Sequence, residues 1–214
     1  MQSVRPKFFS LLLGFVVFFQ PSVSNAELIP VRHREGVTFG FLVLRTVEGQ
    51  TIAYGELKQV VSSNDELVTD DLQFQFKDGS FYQEITKFTQ SHDFRLVSDQ
   101  LVQKGPSFKQ DTESWIEAAT GKVTVRTVEK GKEKLTTKHL DLPADVSNGL
   151  LFTLVKNVDP ALAETTVSMV AASTTPRLVK LHILPAQEKT VNIGLLTHKA
   201  QHFVTPESDS RKVK

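Results

Sequence analysis

The side chains best suited to metal chemistry are His198 and His202, four residues apart. On a helix that spacing would put both imidazoles on one face. The surrounding run is extended in character, and four residues of strand span about 13 Å, too far for one ion. His182 lies in a neighbouring run, and His33, His92 and His139 fall near turns and strand ends. No metal is expected at any of them. Asp65, Glu66, Asp70 and Asp71 form an acidic patch, but a calcium loop needs oxygen ligands at alternate positions around a Gly-containing turn. The patch lacks that register and reads as a solvated loop. Nucleophilic catalysis has little to draw on. The chain has no cysteine and no Gly-x-Ser-x-Gly, and Ser10 lies in an apolar N-terminal run. His92 and Asp93 could be joined with a nearby serine into a triad on paper, as in any β-rich chain of this size. The reading is therefore non-enzymatic, with no catalytic residue, metal or cofactor and no converging buried polar cluster; a hydrolase is the remote alternative.

Phenylalanine is the other unusual feature: fifteen against two tyrosines. Phe39, Phe41, Phe74 and Phe76, with Leu150 and Leu154, are candidates to line an apolar groove for an acyl chain or an exposed peptide. The competing reading is an ordinary core, in which Trp115 is likewise a packing residue.

The elements that must position these residues are mostly strands. Leu67–Phe76 alternates most clearly, with Leu72, Phe74 and Phe76 on one side and Gln73, Gln75 and Lys77 on the other. Lys77-Asp78-Gly79 then supplies a hairpin turn. Further extended runs cover Gly36–Val47, Thr51–Val61, Phe81–Phe88, Phe94–Val102, Trp115–Ala119, Val123–Val128 and Leu135–Leu140. Connectors this short cannot hold crossover helices, so neighbours should be antiparallel. The first run is apolar on both sides, Phe39, Phe41 and Val43 against Leu42 and Leu44, which predicts cover on both faces or an apolar cavity. Val146, Leu150, Leu151, Leu154, Val155 and Val158 recur at helical spacing, which predicts one helix over Asp145–Lys156. Strands resume at Thr165–Ala172, Arg177–Leu184 and Thr190–Leu196, with a weaker run to Val204. The expected fold is mainly β: a long, curved, half-barrel-like antiparallel meander wrapping one α-helix.

Residues 1–26 read as a cleavable secretory signal. Arg5 and Lys7 precede the apolar run Phe8–Phe19, Pro21 breaks it, and Ser24-Asn25-Ala26 places small residues before a cut after Ala26. The run is about 12 residues, against roughly 20 for a bilayer span. The cut would remove two of the 25 Lys and Arg and none of the 24 Asp and Glu, turning a formal charge of +1 into one unit negative. No basic face suggests nucleic acid, and no later stretch is apolar enough to span a membrane. Without cysteine there is neither a lipidation site of the lipoprotein kind nor a disulfide. The expected organisation is a polar, loosely held lead-in over 27–35, one β-rich domain over 36–205 and a disordered tail over 206–214. The expected location is the periplasm or the cell exterior.

Several stretches resemble an uncharacterised family of exported proteins of Gram-negative soil bacteria. They are Leu101–Phe108, His139–Leu150, Thr166–Ala172 and Pro176–Leu181. The resemblance covers most of residues 36–205 and implies kinship without an activity. The order of strands, helix and strands is also similar to periplasmic half-barrel domains of unknown function and to lipoprotein carriers. It implies binding of a lipid, another apolar ligand or an envelope protein. A structural or assembly factor without a ligand is the alternative. Family members continue with a Gly- and Val-rich stretch where this chain has its polar tail, which predicts a truncated member with an exposed sheet edge.

Overall fold

The structure, a computed structural model, describes residues 28–46, 48–62, 64–193 and 195–205. The expected signal with its Ala26 cleavage point and the expected tail lie outside them. Eight consecutive strands form one antiparallel sheet whose spatial order is the chain order. They are β1 (Thr38–Arg45), β2 (Thr51–Val61), β3 (Leu67–Phe76), β4 (Phe81–Gln90), β5 (Phe94–Lys104), β6 (Asp111–Glu117), β7 (Lys122–Glu129) and β8 (Lys132–His139). β1 and β8 are its two edges, so the sheet is open and forms no closed barrel. One short helix, α1 (Leu151–Val155), follows. After it come β9 (Thr165–Ala171), β10 (Arg177–Pro185), the hairpin β11 (Lys189–Ile193) and β12 (Leu196–Ala200), and β13 (Phe203–Val204). β10 pairs with both β9 and β13. The mainly β meander with a single helix is the fold the sequence predicts.

The core lies on one face of the large sheet. Val61, Val68, Phe88 and Leu96 stand in one transverse row there. Val68, Phe88 and Leu96 pack with Val146, Leu150, Leu154 and Val158 from the segment around α1, and with Val167, Val170 and Ile183 from β9 and β10. Burying large aliphatic and aromatic side chains stabilises the fold by roughly 1.5–3 kcal/mol each.

The helix is much shorter than the expected Asp145–Lys156. The apolar stripe is buried as expected, but residues 146–148 are tied to β9 rather than wound into helix. Val146 forms a parallel bridge with Ser168, and the Ser147 amide donates to the Ser168 carbonyl at 2.9 Å. The Asn148 side chain accepts from the Val170 amide at 2.8 Å and donates to the Val170 carbonyl at 3.0 Å. Asn148 thus acts as a short extra strand beside β9, and Gly149 leaves it at φ +70°. Helix begins only once these bonds to β9 end.

Other expectations are corrected at their edges. β6 begins at Asp111, ahead of the expected Trp115, because its inward residues Thr112 and Ser114 are polar and escape a hydrophobic pattern. One strand expected over Thr190–Leu196 is instead the two strands of the β11–β12 hairpin. β1 is an edge strand whose Phe39, Phe41 and Val43 face outward and exposed, so it is not covered on both faces. The lead-in is tied down: the Arg32 and His33 amides both donate to Asn157 Oδ1, at 2.9 and 2.7 Å, and Ile29 is buried.

Candidate functional site

Cross-strand register assembles a polar row that chain order hides. Thr38, Gln59, Asp70, Thr86 and Asp99 oppose one another across β1 to β5 on the inner face, just beyond the apolar row of the core. The next row outward reads Gly40, Leu57, Leu72, Glu84 and Leu101. Alternation puts these residues inward by the same rule that buries Val68 and Phe88. Segment 149–156 lies over the first row and closes a cleft between itself and the sheet. The cleft is lined by Glu35, Leu57, Gln59, Asp70, Leu72, Glu84, Thr86, Phe152 and Lys156, among others.

Each acid of the cleft, and Asp99 in the row beside it, has a defined partner. Gln59 donates to Asp70 Oδ1 at 2.8 Å, Thr86 Oγ1 to Asp99 Oδ1 at 2.9 Å, and the Tyr82 hydroxyl to Glu84 Oε2 at 2.7 Å. Lys156 Nζ reaches Glu35 Oε1 at 2.5 Å and ties the end of α1 to the lead-in. No cation pairs directly with Asp70, Glu84 or Asp99 among the described residues. Burial therefore dominates their ionisation. It pushes Asp70 up to about 6, helped by the Glu35 charge and opposed by the Gln59 hydrogen bond and by Lys156. Burial pushes Asp99 up to about 7, with Glu84 adding repulsion and Thr86 opposing. Glu84 is raised by burial against the Tyr82 hydrogen bond, and Tyr82 is raised by burial and the Glu84 charge. Near neutral pH the Asp99 carboxyl can donate as well as accept a hydrogen bond.

The structure does not gather the sequence-predicted groove residues into one site. Phe39 and Phe41 stack edge to face on the outer side of β1, their ring centroids 5.2 Å apart. Phe74 packs against Tyr82 on the inner face beyond the carboxyls, and Phe76 packs against Phe108. Leu150 and Leu154 are core residues. His198 lies exposed on β12 opposite Val191, and His202 lies outside a strand. His182 bonds Glu164. Asp71 faces outward beside Gln73 and Gln83. Among the described residues no three His, Asp or Glu side chains are grouped as metal ligands.

Asp70 corrects the expectation of a solvated acidic loop, being only 8% exposed. Glu84 and Asp99, near enough for the Glu84 charge to raise Asp99, and Asp70, two strands from Asp99 in the same row, are inner-face acids that the sequence does not foresee. One signal was present: Asp70 shares the alternation phase of Leu72 and Phe74. Glu84, Thr86, Asp99, Phe152 and Lys156 gave none, since only strand register and the path of residues 149–156 bring them together. No helix among the described residues is long and apolar enough to cross a membrane. Compared with known proteins, the chain matches no family model, no curated protein and no solved structure.

Proposed function

We propose that this is an exported, non-enzymatic binding protein of the cell envelope that takes an apolar ligand into the cleft between residues 149–156 and strands β2–β5. The carrying observation is the pairing of apolar walls with hydrogen-bonding carboxyls. Leu57, Leu72 and Phe152 line the cleft beside Asp70 and Glu84. Phe152 stands 63% exposed on α1, an aromatic ring held at the cleft rather than spent in the core. The cleft, about 90 Å³, would take the polar end of the ligand against the carboxyls, and the acyl chain would run outward over the exposed ring of Phe152. The signal-like N-terminus and the resemblance to exported families support the envelope as its place of work.

Titration of the mature chain with a fluorescent fatty-acid probe tests this. Saturable binding should weaken about tenfold in Phe152→Ser, since one large apolar contact is worth on the order of 1–3 kcal/mol. Because Phe152 is exposed, thermal stability should stay close to that of the parent. Absence of saturable binding, or indifference to Phe152, would remove the proposal.

A further inference from the structure

The two edges of the large sheet differ in chemistry. β8 carries Lys132, Glu133, Lys134 and Lys138, and charged edge strands, lysine-bearing ones above all, resist pairing with another chain. β1 reads Thr-Phe-Gly-Phe-Leu-Val-Leu from Thr38 to Leu44 without one charge. It pairs only with β2 among the described residues. Its outward side chains Phe39, Phe41 and Val43 are 59%, 81% and 48% exposed. A bare apolar edge of this kind is a template for one more strand.

We propose that the occupant of this edge is a second copy of the chain, its β1 antiparallel to the first with Gly40 on the two-fold axis. Identical strands paired antiparallel are self-complementary by symmetry. Keeping each face continuous allows only registers that place a single residue on the axis. Charge on β2 then selects among them, because Lys58 lies beside Phe39 and Glu56 beside Phe41 on the outer face. An axis at Phe39 would end the row of two Phe39 rings with a lysine, Lys58, on both sides. An axis at Phe41 would end the row of two Phe41 rings with Glu56 on both sides. An axis at Leu42 would bring Arg45 of the second copy toward Phe39 and Lys58. Only Gly40 sets Phe39 opposite Phe41 of the second copy, with Lys58 at one end of each row and Glu56 at the other. The four rings then form one apolar patch, and the stems of Lys58 and Glu56 can lie over it with opposite charges facing. Gly40 suits the axis, since a Cβ built there meets no atom within 4 Å.

The absence of cysteine from the chain makes the register directly measurable. In Gly40→Cys the two sulfurs would meet across the axis, where opposed Cβ atoms lie about 4.5–5.5 Å apart. In Phe39→Cys each sulfur would stand one residue from the axis on opposite sides, a two-residue offset of about 8 Å, beyond disulfide reach. Sedimentation should show the parent as a dimer. Mild oxidation should link Gly40→Cys efficiently and Phe39→Cys poorly, although position 39 is the more exposed. Lys58→Glu should weaken dimerisation about fivefold, and adding Glu56→Lys should restore it. A monomeric parent throughout the micromolar range would overturn the proposal. So would cross-linking of Phe39→Cys as efficient as that of Gly40→Cys, or a dimer indifferent to both charge changes. None of these results depends on ligand binding in the cleft.

Discussion

Gly149 lies directly against Thr86: a Cβ built on the glycine would overlap the threonine hydroxyl and come within 2.9 Å of Asp99 Oδ1. The glycine also sits at φ +70°, in the left-handed region that favours residues without a Cβ. This contact lets segment 149–156 sit close over the carboxyl row and makes a narrow cleft instead of a gap. Gly149→Ala should therefore cost at least about 2 kcal/mol, through backbone strain and overpacking together. Urea denaturation measures it. A loss under about 0.5 kcal/mol would mean that the segment is not pressed onto the sheet as described.

The carboxyl row makes stability fall as pH rises. Asp70 and Asp99 are held at about 6 and about 7 in the folded chain, above their ordinary unfolded range. Between the unfolded and folded values the native state binds more protons than the unfolded state, so unfolding free energy decreases with pH. The stabilisation is complete below about pH 4 and is lost as pH passes through 6 for Asp70 and 7 for Asp99. The thermal midpoint, as far as these groups set it, should be higher at pH 5 than at pH 8. Asp99→Asn should flatten that slope and raise the midpoint at pH 8. A slope unchanged in both Asp70→Asn and Asp99→Asn would show that these acids are not buried as described.

Another buried acid, Asp145, anchors the segment before α1. Asp145 accepts from Ser168 Oγ at 3.0 Å and meets Lys180 Nζ at 3.3 Å, its side chain 1% exposed. Lys180→Met would leave that carboxylate without its cation. Removing one partner of a fully buried pair costs about 3–5 kcal/mol. With the lysine half exposed, about 1–3 kcal/mol is expected here, and chemical denaturation reads it. Met preserves the aliphatic stem, so the loss reports charge rather than packing.

Asn148 supplies two bonds to Val170 in place of a neighbouring strand. Asn148→Ala would leave both buried Val170 groups unpaired, for a loss of about 2–3 kcal/mol in denaturant titration. Amide exchange of Val170 should accelerate more than that of Val167, a pattern that general destabilisation would not give.

The strands were legible because alternation is local: Thr51–Val61 and Leu67–Phe76 follow directly from it. The apolar stripe overstates the helix because a 3.6-residue pattern records which side chains are buried, not where the backbone bonds go. The Ser147 amide and the Asn148 side chain bond β9 instead, more than twenty residues away in sequence. The cleft was hidden for a related reason. Gln59, Asp70, Thr86 and Asp99 fall in one row only after three hairpins have fixed their register. The Phe residues drew attention by number, yet the structure scatters them between the outer edge, the inner face and the core.

Native mass spectrometry of the chain purified from the envelope fraction of the producing cell tests ligand binding in the cleft most directly. The expected result is a co-purifying apolar molecule carrying an acyl chain, retained by the parent and lost from Phe152→Ser. A clean ligand-free mass for the parent, with no uptake of added fatty acid, would contradict it.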